Sequence, residues 1–345
     1  MWRWGVVLVL VAGTSLGGCG WPRRPVREAE LLAWNEATFA RKPAPTYSVR
    51  LAPGTSAPAE TIIGTPRTYR IREGDTLFDV ARYHDLGYNE ITEANPGVDA
   101  WVPKVGTAIV LPTEWVLPCC TYEGLVLNIP EMRLFFYQRA AGDPRRILVR
   151  TYPVGLGRED WRTPRGRFRV RGKTVNPQWN IPESIRQEHI RERGDARTSI
   201  RGGDPDNPLG KYRIELTIPS YTIHGTNVPW GTGMTVSHGC ARLYPEDIER
   251  LFPLVPVGLP VEFTYQPTKV GRRGDEVFVE VHPDVYRYHR SLVGEALATV
   301  KRRGLDGRVD RRLLRTAVTE SRGLPYRVGG GAERLRVAGG SPPPS

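Results

Sequence analysis

The sequence of 345 residues is poor in cysteine, which limits the ways in which it can be cross-linked. Its four cysteines are Cys19, the neighbours Cys119 and Cys120, and Cys240. Adjacent cysteines pair only with strain, so the chain does not have the disulfide framework of small secreted domains. We expect Cys119 and Cys120 to be small apolar packing residues, because free cysteine is among the residue types most often buried.

The sequence also lacks an apolar run long enough to span a bilayer. Residues 5–12 are apolar and follow Arg3, but a run of this length is too short for a transmembrane helix. It has the form of the hydrophobic part of a secretory signal. We therefore expect a signal peptide over residues 1–18 and an exported mature chain.

The end of this segment, Leu16 to Cys19, reads Leu-Gly-Gly-Cys and resembles a bacterial lipobox. The resemblance implies cleavage before Cys19 and a lipid anchor on that residue. Gly20 follows in place of an aspartate, which by the sorting rule of such lipoproteins implies a periplasmic protein on the outer membrane. The alternative is ordinary signal cleavage near Gly18, with Cys19 unmodified.

Acidic residues are also in deficit, with 37 Asp and Glu against 49 Lys and Arg, which gives a net charge of +12. This charge suits a polyanionic neighbour such as nucleic acid, anionic lipid or an acidic wall polymer. The arginines are spread along the chain, and no basic run contains interleaved aromatic residues. We therefore do not expect a nucleic-acid partner.

The length of the chain is sufficient for two or three domains. Residues 19–66 are rich in Pro, Arg, Ala and Thr, and we expect them to be a linker in which residues 28–40 can form a short helix. Such a tether would let a lipid-anchored domain reach away from the membrane. Over the whole sequence, 31 prolines and 37 glycines favour strands and loops over helical bundles.

Residues 67–113 predict a small strand–helix–helix–strand domain. An alternating strand begins near Tyr69, and Gly74-Asp75-Thr76 predicts the cap of an amphipathic helix. A second helix ends at Asn95-Pro96-Gly97, and residues 108–111 predict the closing strand. The unit resembles a LysM module, a family that binds glycans containing N-acetylglucosamine. The alternative is a structural βααβ domain without a ligand.

Residues 122–266 predict a mainly β domain, either a sandwich or a barrel, because short strands alternate with Gly/Pro turns. One helix is predicted over residues 245–252, where acidic residues occupy the first turn. The predicted strands cover residues 125–129, 132–137, 147–154, 167–170, 214–216 and 261–263.

The C-terminal part has a different pattern. Residues 286–301 and 310–320 have helical periodicity, so residues 270–336 predict a helical region packed on the β domain. Residues 337–345 are rich in Gly, Ser and Pro and predict a disordered tail.

The stretch from residue 224 to 243 combines two histidines, one cysteine and several glycines. His224, His238 and Cys240 are suitable zinc ligands by type, but their spacing is not that of a compact structural site and a fourth ligand is missing. We therefore do not expect a metal. A disulfide would need Cys119 or Cys120 as the partner of Cys240.

The third interpretation of this stretch is nucleophilic catalysis. Cys240 supplies the thiol, and His224, at the end of a strand-like run, can act as its base. The backbone amides of Gly239 and Cys240 can face a developing oxyanion. A thiolate–imidazolium pair would then lower the pKa of the cysteine.

The motifs of this region resemble the signature of the L,D-transpeptidase catalytic domain of YkuD type. Residues 223–226 read Ile-His-Gly-Thr, and residues 237–242 read Ser-His-Gly-Cys-Ala-Arg. Ala241 departs from the pattern, where a larger apolar residue is expected, and this change affects packing rather than chemistry. With the LysM-like module, the layout resembles the Gram-negative ErfK/YbiS group. Further matching motifs are Tyr152-Pro153-Val154-Gly155, Thr163-Pro164-Arg165-Gly166, Asn176-Pro177-Gln178-Trp179 and Asn207-Pro208-Leu209-Gly210.

The resemblance implies an acyltransferase of peptidoglycan biosynthesis that needs no metal or organic cofactor. Cys240 would attack the carbonyl between the third and fourth residues of a tetrapeptide stem, and the terminal D-alanine would leave. The thioester on the L-centre of diaminopimelate would then pass to an amine. His224 would act as base and then as acid, with its ring oriented by the carbonyl of Gly225.

The resemblance also implies supporting roles for four more residues. His238 would line the site and support the oxyanion region, and Arg242 would hold a substrate carboxylate. Ser237 would position His238, and Thr226 would position the donor stem. For each of these residues a purely structural role in the loop is the alternative.

The sequence does not specify the acceptor amine. It is either the side-chain amine of another stem, which gives a cross-link, or a lysine of an outer-membrane lipoprotein; the ErfK/YbiS-like layout mildly favours the lipoprotein. Two other functions stay open at this point. A hydrolase would use the same cysteine with water as acceptor, and a non-catalytic wall tether would use only the LysM-like module.

Overall fold

The computed structural model of the protein describes residues 34–330. The predicted signal peptide, the lipidation site at Cys19 and the predicted tail over residues 337–345 lie outside the described residues. Between residues 34 and 330, no helix combines the length and the apolar character that crossing a membrane requires.

The first half of the described chain contains short helices and the first strands of the sheets. In chain order these are α1 (Glu36–Ala40), β1 (Tyr47–Arg50), β2 (Ile62–Gly64), β3 (Arg67–Arg70), α2 (Leu77–Tyr83), α3 (Tyr88–Ala94), β4 (Ala108–Leu111), β5 (Glu114–Val116), β6 (Gly124–Asn128), β7 (Arg133–Ala140), β8 (Asp143–Pro153), β9 (Leu156–Gly157) and β10 (Gly166–Val175).

The second half continues the main sheet and adds four further α-helices among the described residues. Its elements are β11 (Trp179–Asn180), α4 (Glu183–Arg193), β12 (Ser199–Ile200), β13 (Tyr212–Leu216), β14 (Thr222–His224), β15 (Thr235–Ser237), β16 (Ala241–Arg242), α5 (Pro245–Leu251), β17 (Pro260–Thr264), β18 (Thr268–Arg273), β19 (Glu276–Val281), α6 (Leu292–Arg302), α7 (Arg311–Glu320) and β20 (Tyr326–Gly329).

The main sheet has nine strands among the described residues, in the order β1-β8-β7-β6-β17-β10-β13-β14-β16. Successive residues of β6 and β7 contribute alternately to two hydrophobic clusters: Leu125, Leu127 and Phe136 lie in one, Val126 and Phe135 in the other. A strand that is buried on both faces has a continuous apolar sequence, which explains the uninterrupted apolar runs in these strands. The mainly β prediction is confirmed.

The LysM-like module has the predicted strand–helix–helix–strand order, and β3 pairs with β4. Thr76 is the N-cap of α2, and its side chain accepts a hydrogen bond from the Asp79 N–H. Leu77, Val80 and Ala81 of α2 share a cluster with Val126 and Phe135 of the main sheet, and Ile91 of α3 belongs to the same cluster. The module therefore packs directly against one face of that sheet.

The prediction of a linker up to residue 66 is wrong for the described part of that segment. Strand β1 pairs with β8, so that Val49 lies opposite Ile147, and Phe39 of α1 is buried. Lys42 is also buried and forms ion pairs with Asp85 and Asp247 at 3.2 and 2.8 Å. This segment is part of the folded body because it supplies the edge strand of the main sheet.

The C-terminal region contains the two expected helices, but it is not only helical. Strands β18, β19 and β20 form a separate antiparallel sheet, and Val270, Val279 and Val328 of this sheet share a hydrophobic cluster with Ala296 of α6 and Leu314 of α7. The first helix begins at Leu292, after the N-cap Ser291, so the residues before it form a loop.

Two smaller predictions also need correction. Cys119 is exposed rather than packed, whereas Cys120 is partly buried, and both are free, as is Cys240. Helix α4, which lies between β11 and β12, has no counterpart among the predicted elements. Its sequence gives a weak signal because only Ile185 and His189 of its residues are buried.

Candidate active site

The parallel pairing of β14 with β16 brings the two signature motifs together. Ile223 lies opposite Ala241 and His224 lies opposite Arg242, which places Cys240 beside Thr222. The Thr222 hydroxyl donates to the Cys240 Sγ at 3.6 Å, and the thiol donates to the Ser220 carbonyl at 3.6 Å. His224 and Cys240, which are 16 positions apart in the sequence, therefore lie at the same corner of the sheet.

His224 is buried, and the Nδ1 atom of its ring is 2.7 Å from the Gly225 carbonyl oxygen. Burial, together with the positive charge of Arg242, lowers the pKa of His224 to about 3. Because a carbonyl can only accept, Nδ1 carries the proton of the neutral ring. The Nε2 lone pair is then available to take a proton.

This neutral state differs from the thiolate–imidazolium pair that the sequence led us to expect. Within residues 34–330 no hydrogen bond joins the His224 ring to the Cys240 thiol, which is directed to Ser220 and Thr222 instead. Such contacts often tighten only when substrate binds. The resting geometry therefore suits a general base better than a preformed ion pair.

The loop from Ser237 to Cys240 is closed by one hydroxyl group. Ser237 Oγ donates to the Cys240 carbonyl at 2.7 Å and accepts from the Gly239 N–H at 3.1 Å. Gly239 has a φ of +105°, and a Cβ atom at this position would lie 2.6 Å from the Tyr221 ring. Only glycine fits here without displacing its neighbours.

These contacts correct two of the expected roles. The Gly239 N–H is engaged by Ser237 Oγ and is not free to donate to an oxyanion. Ser237 holds the backbone of the nucleophile loop rather than the ring of His238. Among the described residues none accepts a hydrogen bond from the Cys240 N–H, which stays available as a donor.

Arg242 lies next to the nucleophile with its guanidinium largely enclosed. Its Nε atom is buried without a hydrogen-bond partner, and no carboxylate of the described chain forms a salt bridge with it. Burial lowers the pKa of this guanidinium, while the neighbouring Cys240 acts in the opposite direction. A partly buried cation whose enclosed Nε atom has no protein partner favours an anionic ligand.

His238 is held by a helix that the sequence did not predict. Its Nε2 atom is 3.0 Å from Glu188 Oε2 on α4, and the ring lies edge-on to Trp161 with centroids 5.2 Å apart. Arg158 donates to both oxygens of Glu188, at 2.9 and 2.8 Å. Hydrogen bonds from Arg158 and His238 lower the pKa of Glu188 to about 2. Sequence reasoning missed Glu188 because it lies 50 residues before His238 on a helix with little apolar signal.

Thr226 belongs to the local turn. It is buried, and its hydroxyl accepts a hydrogen bond from the Val228 N–H at 2.9 Å. This contact agrees with the structural alternative for Thr226, the capping of a backbone amide.

The three residues weighed as zinc ligands are not gathered around a common point in the part of the chain that the structure describes. The single group of suitable ligand atoms there is Glu131, Glu280 and His282. The ammonium group of Lys269 lies 2.7 Å from Glu131 and 2.8 Å from Glu280. The ammonium group of Lys269 thus occupies the position in which a metal ion would bind.

Known families match both parts of the chain. Residues 123–263 match the L,D-transpeptidase catalytic domain, and residues 69–112 match the LysM domain. The chain is 33% identical to "Probable L,D-transpeptidase YbiS" of Escherichia coli K12, over 77% of this chain and 88% of that protein. It is 31% identical to "Probable L,D-transpeptidase ErfK/SrfK" of the same strain, over 79% of this chain and 89% of that protein. On this similarity, which spans most of both chains, the protein belongs to the L,D-transpeptidase family and has a LysM domain before its catalytic domain.

Proposed function

We propose that the protein is a cysteine-dependent L,D-transpeptidase that transfers the tetrapeptide stem of peptidoglycan to an amine. The observation that carries this proposal is the β14–β16 pairing, which brings the neutral ring of His224 to the same corner of the sheet as the Cys240 N–H, for which the described residues supply no acceptor. Thiol, base and oxyanion donor are the three parts that acyl transfer requires.

In the first half of the reaction, the Cys240 thiol loses its proton to His224 Nε2 as sulfur attacks the carbonyl between residues three and four of the stem. The Cys240 N–H stabilises the charge that develops on the carbonyl oxygen. The bond to D-alanine then breaks, and His224 returns the proton to the departing amine. The Gly225 carbonyl, at 2.7 Å from Nδ1, holds the ring in the tautomer that this exchange needs.

In the second half, a primary amine attacks the thioester and gives its proton to His224, which passes it to the departing sulfur of Cys240. The acceptor is the diaminopimelate side-chain amine of another stem or a lysine of an outer-membrane lipoprotein. We propose that the protein acts in the periplasm, anchored through a lipid on Cys19. Arg242, partly buried beside Cys240 and without a protein carboxylate, would bind a carboxylate of the stem.

The LysM domain supplies a candidate surface for the glycan. Phe78 stacks on Tyr88 with ring centroids 4.8 Å apart, and Trp101 lies 4.4 Å from Phe78. The Trp101 side chain is 64% exposed, so the group offers an open aromatic face. Amphipathic aromatic surfaces of this kind suit ligands with both apolar faces and hydroxyl groups.

The proposal is tested by mass spectrometry of the soluble chain incubated with a carbapenem, with Cys240→Ala as the matched variant. We expect an adduct on the wild-type chain and none on the variant. A folded, reduced wild-type chain without an adduct would contradict the nucleophile. Incubation with tetrapeptide wall fragments, with and without an acceptor amine, then separates transfer from hydrolysis, because a hydrolase releases free acid in both cases.

A further inference from the structure

A buried hydroxyl network lies behind the nucleophile loop, and it involves a residue from outside the catalytic family match. Thr163 Oγ1 donates to the Gly239 carbonyl at 2.9 Å and accepts from the Gly157 N–H at 3.1 Å. Tyr286 accepts from the Thr163 N–H at 3.1 Å and donates to the Gly157 carbonyl at 2.7 Å. Two side chains thus join three backbone segments around Gly239.

The network is enclosed, so its hydrogen bonds are not exchanged with water. Thr163 is 2% exposed and Tyr286 is 1% exposed. The segments also approach closely: a Cβ on Gly157 would lie 2.7 Å from the Gly239 Cα. Each hydroxyl donates one hydrogen bond and accepts one, and the loss of either would leave buried backbone groups unpaired.

The geometry of the peptide bond connects this network to catalysis. The described chain has no cis peptide bonds, and in a planar trans peptide the carbonyl and the following N–H point in opposite directions. The Gly239 carbonyl and the Cys240 N–H belong to one such plane. When Thr163 holds the carbonyl on its side, the Cys240 N–H is aimed away from Thr163.

We propose that Thr163 and Tyr286 are positioning residues that aim the Cys240 N–H at the oxyanion of the acylation step. This inference rests on the proposed role of Cys240 as the nucleophile. Tyr286 follows the matched catalytic domain, which ends at residue 263, and it comes from the loop between β19 and α6. The C-terminal region therefore supplies a residue that supports the active site, in addition to forming its own sheet and helices.

Tyr286 is itself held by neighbouring residues. Its N–H donates to the Tyr265 hydroxyl at 2.8 Å, and the two rings stack with centroids 6.0 Å apart. The Tyr265 hydroxyl in turn donates to Asp284. Burial raises the pKa of Tyr286, so the phenol keeps the proton that it donates to Gly157.

The test compares two reactions of the same thiol. Carbapenem acylation passes through an oxyanion, whereas alkylation by iodoacetamide does not. The variants are Thr163→Val, which removes the hydroxyl at nearly constant shape, and Thr163→Ser, which keeps it. Tyr286→Phe is a second variant that removes a single oxygen atom, and it keeps the test open if Thr163→Val does not fold.

We expect Thr163→Val to be acylated at least about tenfold more slowly than the wild type. Removal of an oxyanion donor lowers the rate of such a reaction by about 10²–10³-fold. In this variant the donor is misdirected rather than removed, so the expected loss is smaller. Tyr286→Phe should show a smaller loss of the same kind. Thr163→Ser should stay near the wild-type rate, and iodoacetamide should alkylate all four chains at similar rates.

Acylation of Thr163→Val and Tyr286→Phe at the wild-type rate would overturn the inference. A parallel loss of acylation and alkylation would overturn it as well, because it would show general damage to the site. A wild-type chain that shows no Cys240-dependent adduct would instead refute the proposed function, so the two failures are distinguishable.

Discussion

At the scale of single residues, the burial of His224 has a consequence for stability as well as for chemistry. The pKa of its ring is about 3 in the folded chain, against about 6.5 in an unfolded one. As the pH falls from 6.5 towards 3, the unfolded state binds a proton that the folded state does not. Stability is therefore lost in this window.

The variant His224→Gln has no titratable group at this position and should lack this loss of stability. The free energy of unfolding of the wild type, measured with urea at pH 7 and pH 4, should fall more over this interval than that of the variant. The direction follows from linkage. Parallel losses in the two proteins would show that His224 is protonated in the folded state.

At the scale of elements, the first LysM helix depends on its cap. Helix α2 has seven residues, and the Thr76 side chain accepts from the Asp79 N–H. Thr76→Ala should lower the free energy of unfolding by about 1 kcal/mol, and Thr76→Ser, which keeps the acceptor oxygen, should lower it by much less. Urea denaturation of the two variants and the wild type provides the measurement, and equal stabilities would exclude a role for this cap.

Several elements were predictable because their signals are local. Thr76 with its preceding Gly-Asp marks the start of α2, and the unbroken apolar runs of β6 and β7 indicate burial on both faces. The placement of His224 and Cys240 on neighbouring segments also had a local signal, since both lie in short Gly-rich motifs. Their shared corner follows from two strands, β14 and β16, that are close in the sequence.

The missed elements depend on distant partners. Strand β1 has only four residues in a proline-rich segment, and Tyr47 pairs with Val149, far along the chain. Helix α4 is fixed through Glu188, which reaches Arg158 and His238. Neither contact leaves a periodic pattern in the sequence. Each depends on one or two residues rather than on a row of apolar residues that recurs with the period of a helix or a strand.

At the scale of the whole molecule, buried charges join the LysM domain to the catalytic domain. Arg133 of β7 is fully buried and donates to both oxygens of Glu90 on α3, at 2.8 and 2.6 Å. It also donates to the Asp85 carbonyl at 2.7 Å and lies over the Trp115 ring. These contacts hold the two domains in one fixed arrangement.

Breaking this pair should therefore destabilise the entire chain. Arg133→Met leaves Glu90 as a buried charge without its partner, which costs about 3–5 kcal/mol. The double variant Arg133→Met/Glu90→Gln removes that charge, and its loss should be smaller than that of Arg133→Met alone. Denaturant unfolding of both variants gives the comparison. A loss below about 1 kcal/mol for Arg133→Met would show that the junction does not depend on the pair.

If Cys19 is a lipid anchor, the residue at which the folded body begins limits the distance between the catalytic domain and the membrane. If Cys19 carries a lipid, the chain leading to Trp34 has 15 residue steps, and an extended chain covers at most about 3.6 Å per step. The body would then begin no more than roughly 54 Å from its anchor, whereas a linker running to residue 66 would allow roughly 170 Å. If Cys19 is the anchor, α1 and β1 thus shorten the tether and keep the catalytic domain close to the membrane that holds it.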